Sequence, residues 1–195
     1  MNNKLSRDDL MSLEVYAVER PSFRDKVMQE KTHRRLEITE NANLYFENRL
    51  TLQYQIQEML RVERIFDAAG INEELDAYNP LIPDGKNLKA TFMLEYPDIE
   101  LRKKRLAELR GIEDQTYLQV EGFDKVYAIS DEDLERTTDE KTSAVHFTRF
   151  EFSDDMIKAL RNGADLLAGI EHPAFPPKHI TVAENIKQAL VKDFA

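Results

Sequence analysis

Residues 88–96 read LKATFMLEY: Leu88, Ala90, Phe92, Leu94 and Tyr96 alternate with Lys89, Thr91, Met93 and Glu95. Successive side chains of an extended chain point to opposite faces, so this strict period of two predicts a β-strand. Upstream lies Tyr78-Asn79-Pro80-Leu81-Ile82-Pro83-Asp84-Gly85, where two prolines and an Asp-Gly pair predict a rigid, defined loop. Downstream, Asp98 is placed to cap a helix reaching Arg110, with Gly111 in the stop position.

Toward the C-terminus, residues 115–120 and 125–129 read as a hairpin through Glu121-Gly122. The acidic stretch 130–143 is expected to hold a short helix. Val145 to Phe152 is a further strand, Ser153 caps a helix ending at Gly163, and Leu166 to Ile170 reads as the last strand. The proline-rich 172–177 crosses to a C-terminal helix that Thr181 and Glu184 would open as a capping box.

Toward the N-terminus, the longest helix is expected over about 49–69, ending at Gly70. At 100° per residue Leu52, Ile56, Met59 and Phe66 share one face, and Glu63 falls in the middle of that stripe. A carboxylate there is either ion-paired across the core or an acid with a raised pKa, which makes Glu63 a candidate catalytic residue. Leu36-Glu37-Ile38 and Leu44-Tyr45-Phe46 read as two short strands around a polar turn. Ser6 to Asp9 resembles a capping box for a helix through about Val18 that Pro21 breaks, with a second, charged helix over 23–33.

Strands joined by hairpins or single helices, without regular βαβ alternation, point to an α+β fold: a mostly antiparallel sheet packed against several helices, with the long helix lying across it. At 195 residues the chain reads as a single domain, residues 1–34 forming a helical extension on an α+β core of 35–195. No apolar run has the length of a signal peptide or a membrane span, so a cytoplasmic protein is expected.

With no cysteine, the chain cannot itself supply a thiolate nucleophile, a disulfide or an iron–sulfur cluster. The net charge of −10 argues against nucleic acid, which is bound by neutralising phosphates. The basic run Arg102 to Arg105 reads as a solvated helix face. No GxGxxG, GxxxxGK[ST] or GxSxG occurs. Asp131-Glu132-Asp133 resembles the start of a calcium loop, but Arg136 stands where that loop needs glycine. Glu30 and His33 form one Glu-x-x-His pair where a di-iron bundle needs two.

Alternation puts His146 with Phe150 and Phe152, and His172 with Leu166, Ala168 and Ile170. Two histidines on one apolar layer would hold a metal with a carboxylate such as Glu95 or Glu171, or transfer protons; the plainer reading is two structural histidines bonded to backbone carbonyls. Arg149 and Glu151 share the opposite face, as an ion pair or an anion-binding arginine with its counter-ion. The loop residues Tyr78 and Asn79 complete the candidate binding positions.

The runs YQIQEMLRVERI (54–65), ELDAYNPLIPDGKNLKATFMLEYPD (74–98), VYAISDEDLER (126–136), EKTSAVHFTRFEF (140–152) and GIEHPAF (169–175) resemble the uncharacterised bacterial domain-of-unknown-function family 3501 across nearly the whole chain. The resemblance brings no assigned reaction. It implies a setting beside rubrerythrin-like and other iron–sulfur redox proteins. The expectation is therefore a non-enzymatic accessory or binding protein without a cofactor of its own, docking such an oxidoreductase. The alternatives are a small metal-binding protein or enzyme using His146 and His172, and a small-molecule sensor with an apolar cavity next to Glu63 and Arg149. Any self-association is expected to be a two-fold homodimer.

Overall fold

The alternation at 88–96 is realised as the middle strand of a five-stranded antiparallel sheet. A computed structural model describes residues 4–195; residues 1–3 of the expected N-terminal extension lie outside the described residues. In chain order the elements are α1 (Leu13–Thr32), β1 (Arg35–Thr39), β2 (Ala42–Phe46), α2 (Arg49–Glu63), α3 (Ala68–Tyr78), β3 (Asn87–Leu94), α4 (Ile99–Glu108), β4 (Thr116–Val120), β5 (Lys125–Tyr127), β6 (Ile129–Ser130), β7 (Val145–Glu151), α5 (Asp154–Arg161), β8 (Leu166–Ile170), β9 (Lys178–Thr181) and α6 (Glu184–Val191). The fold is α+β, with two antiparallel sheets ordered β1-β2-β3-β7-β6 and β5-β4-β8-β9.

The inward faces of the two sheets and the apolar sides of α4, α5 and α6 share one core. Leu88, Ala90, Phe92 and Leu94 of β3 enter it beside Phe150 of β7 and Leu118, Ala168 and Ile170 of the smaller sheet. In register, Lys89 lies opposite Arg149, Ala90 opposite Thr148 and Phe92 opposite His146. A second apolar cluster joins Leu5, Leu52, Ile56, Leu60, Leu75 and Ile82, so α2 packs between α1 and α3 and does not lie across the sheet. Each helix needs one apolar partner surface, and here the helices supply it to one another.

Several expectations are corrected. The stretch 49–69 is two helices. Arg64 adopts the left-handed conformation (φ 56°) and closes α2, while the Asp67 carboxylate accepts from the N–H groups of Ala69 and Gly70 and opens α3. A side-chain cap competes for backbone donors that a continuous helix would bond internally. The longest helix is instead α1, which continues through Pro21. The ring forfeits one backbone bond, but Tyr16 before it and Val27 after it are both fully buried against the body. Ser12 caps α1, and Ser6 caps only the 3-10 turn Arg7–Asp9. The acidic stretch after β6 contains no helix. A strand beyond Ile170, β9, pairs with β8, and α6 starts from Ala183 while Thr181 ends β9.

Candidate functional site

Where β6 ends, Asp131 takes a left-handed conformation (φ 53°), which turns the chain along the edge of β7. Its N–H donates to Phe147 O at 2.8 Å, and its Oδ1 accepts from Phe147 N at 3.1 Å. Its other oxygen, Oδ2, lies 2.6 Å from Nδ1 of His146. A carboxylate only accepts, so Nδ1 carries the hydrogen. Arg136 donates to Asp131 Oδ1 at 3.0 Å and to both oxygens of Asp133, and its guanidinium lies over the Phe147 ring. These side-chain bonds occupy the backbone's neighbourhood, which is why the segment forms a strap and not a helix.

His146 reaches inward from β7 and is completely buried. Its Nε2 faces Thr142 Oγ1 at 2.9 Å, Ser143 O at 3.0 Å and Glu113 Oε2 at 3.8 Å. Glu113 comes from the short 3-10 turn Glu113–Gln115 between α4 and β4, reached through Gly111 at φ 79°. Its carboxylate accepts from the Thr137 and Thr142 hydroxyls. The Thr142 backbone N–H is tied to Leu106 O of α4 at 3.0 Å. One nitrogen of His146 and one oxygen each of Glu113 and Asp131 lie within 4.8 Å of one another. Donors of this kind suit a divalent transition-metal ion.

Of the residues singled out from the sequence, only His146 belongs to this group. His172 follows β8 in the other sheet; its Nε2 bonds Arg110 O at 2.9 Å and its Nδ1 accepts from Ala174 N at 3.1 Å. The two histidines share no partner. Glu171 is exposed and bonded to Lys125 and Tyr127, and the Lys125 ammonium holds its carboxyl below the usual range. Glu95 accepts from Asn43 and Tyr45 on the outer face of the large sheet. Glu63 is exposed on the last turn of α2. Asn79 fastens the N-terminal segment, accepting from Leu5 N at 2.7 Å and donating to Leu5 O at 2.9 Å, and Tyr78 is half-buried beside it. Arg149 is gripped by Glu132 at 2.8 Å through two parallel bonds and by Glu151.

Glu113 and Thr142 carry no periodic or spacing signal in the sequence. Asp131 was visible only as the head of an imperfect calcium loop.

The family model for a protein of unknown function, DUF3501, matches residues 4–194. A crystal structure of a novel protein of unknown function from Burkholderia pseudomallei is 47% identical and superposes with a TM-score of 0.93, covering 98% of this chain and 100% of that one. No curated protein matches the chain. The chain belongs to the DUF3501 family.

Proposed function

We propose that the protein is a non-enzymatic binding protein that holds one divalent metal ion between His146 Nε2 and the Glu113 carboxylate. The observation that carries this is the surroundings of Nε2: the Thr142 hydroxyl oxygen at 2.9 Å, whose hydrogen is given to Glu113, a carbonyl at 3.0 Å and a carboxylate oxygen at 3.8 Å face an imidazole nitrogen. The space between them calls for positive charge. Glu113 and Asp131 are largely withdrawn from water, and Arg136 balances only one of them. An uncompensated buried charge is costly, and a cation at this point removes the cost. Asp131 on Nδ1 then fixes the ring and tautomer of a ligating histidine. With no exposed surface on His146, the centre presents no face to a substrate, which favours a resident ion over turnover.

Elemental analysis of untagged protein purified without chelator tests this. The expected result is about one zinc, manganese or iron per chain, lost in His146→Ala and Glu113→Gln variants that still fold. Returning metal to chelator-treated protein at a hundred times its Kd should add about 2.7 kcal/mol to stability. Metal-free wild type whose unfolding midpoint ignores all three ions would overturn the proposal.

Docking onto a cytoplasmic iron–sulfur or rubrerythrin-type oxidoreductase is a second proposed role. It rests on the family resemblance, and the surface it would use is a groove of about 620 Å³ with Met11, Leu60, Ile65 and Ile71 on its apolar side and Arg7 and Glu14 on its polar side, at whose rim Phe66 is 72% exposed. A pull-down should recover such a redox protein with wild type and lose it with Phe66→Ser. Recovery of none removes this role without touching the metal proposal.

A further inference from the structure

On the outer face of the large sheet, opposite the side that His146 enters, a cavity of about 260 Å³ lies between β3, β7, the 3-10 turn Asn79–Leu81 and the strap after β6. It is smaller than the roughly 300–1,000 Å³ of drug-sized sites, so its natural occupant is a small molecule. Pro80, Leu81 and Phe147 give it an apolar wall.

Five charged side chains line this cavity, and three of them are already satisfied. Arg149 is paired with Glu132 and Glu151, and Asp133 with Arg136. The remaining two are Lys89 and Glu47, and among the described residues neither has an opposite charge within 4.0 Å. The Lys89 ammonium has three donors and gives one to Pro80 O at 2.6 Å. Among the described residues, Glu47 accepts side-chain hydrogen bonds from the hydroxyls of Thr51 at 2.6 Å and Thr91 at 3.3 Å. The two residues are neighbours in the sheet, with Glu47 N donating to Lys89 O at 2.9 Å, yet their side chains do not meet. Burial pulls the Lys89 ammonium below its usual pKa; Asp84, Glu132 and Glu151 act on it only from beyond ion-pair distance and do not offset that cost.

An unpaired ammonium and an unpaired carboxylate beside one apolar wall are complementary to a molecule carrying both charges and a short apolar group. We propose that this cavity binds a small zwitterion, an α-amino acid with an apolar side chain, its carboxylate on Lys89, its ammonium on Glu47 and its side chain on Leu81 and Phe147. The charges that a ligand without one of these groups would leave unpaired give the specificity. This site is independent of the proposed metal centre, since it uses none of that centre's ligands.

Calorimetric titration of the full chain with L-leucine and L-phenylalanine tests the proposal. Isocaproate and isopentylamine, which lack leucine's amine and carboxylate in turn, serve as comparisons. The expected result is binding of at least one amino acid, with each leucine analogue at least about tenfold weaker than leucine if leucine is the one bound. Lys89→Met and Glu47→Gln, checked for fold by circular dichroism and melting temperature, should each weaken binding by about tenfold or more. No heat from either amino acid at about 10 mM overturns it. So does leucine binding that isocaproate matches, or binding that survives both substitutions. If Glu47→Gln disturbs the start of α2 through Thr51, Lys89→Met on the open sheet face decides alone.

Discussion

Replacing Asp131 tests whether the strap is held by the bonds described. In Asp131→Ala the carboxylate leaves three donors: His146 Nδ1 at 2.6 Å, Phe147 N at 3.1 Å and Arg136 at 3.0 Å. Arg136 keeps both oxygens of Asp133, so its loss counts little. The other two are hydrogen bonds to a charged acceptor beside a buried ring, at about 1.5–3 kcal/mol each, for roughly 4 kcal/mol together. Alanine at φ 53° adds about 1 kcal/mol of left-handed strain. Asp131→Gly loses the same bonds without that strain. Asp131→Asn tolerates the backbone and keeps an acceptor for Phe147 N, and should cost about 1–2 kcal/mol. Urea unfolding by circular dichroism in excess chelator, which removes any contribution of bound metal, should rank the losses Asn, then Gly, then Ala. An alanine variant within about 1 kcal/mol of wild type, or equal to asparagine, would refute this account of the strap.

Arg34 is almost wholly buried and ties α1 and β1 to Asp193, beyond the end of α6, at 2.7 and 2.9 Å. Arg34→Met should cost about 3–5 kcal/mol by stranding the Asp193 carboxylate, and Arg34→Met with Asp193→Leu should regain most of it, as a double-mutant cycle of thermal melts would show. Glu58 accepts hydrogen bonds from Arg20, Arg61 and Tyr16, and the Arg20 guanidinium above all brings its carboxyl from 4.5 down to about 2. A lowered folded-state value means its contribution is complete above pH 4.5 and fades as the pH falls through about 2. The stability gap between wild type and Glu58→Gln, followed by urea unfolding across that range, should close toward the acid end; a gap that stays constant counts against the Arg20 pairing.

Local patterns carried much of the fold. The alternation of Leu88 to Tyr96, the hairpin through Gly122, the caps Asp98 and Ser153 and the strand around His146 are all read from neighbours within a few residues, and all appear as such. The local reading failed where a single side chain redirected the chain. Asp67 captured two backbone donors and split the long helix, and tertiary packing carried α1 through Pro21 against the proline signal. At the candidate centre, His146 was legible as an inward-facing histidine, but its partners were assigned to the wrong strand. Glu113, Asp131 and Thr142 come from a turn, a strand end and a strap, spread over some thirty positions with no common period. Lys89 and Glu47 likewise read as ordinary charges on a sheet; only the completed set of ion pairs around them shows that these two were left out. The sequence alone determined class, charge and the alternating faces, because those depend on the geometry of a few consecutive residues. Which polar groups converge depends on how the two sheets and the strap close over one another, and that was decided only by the tertiary structure.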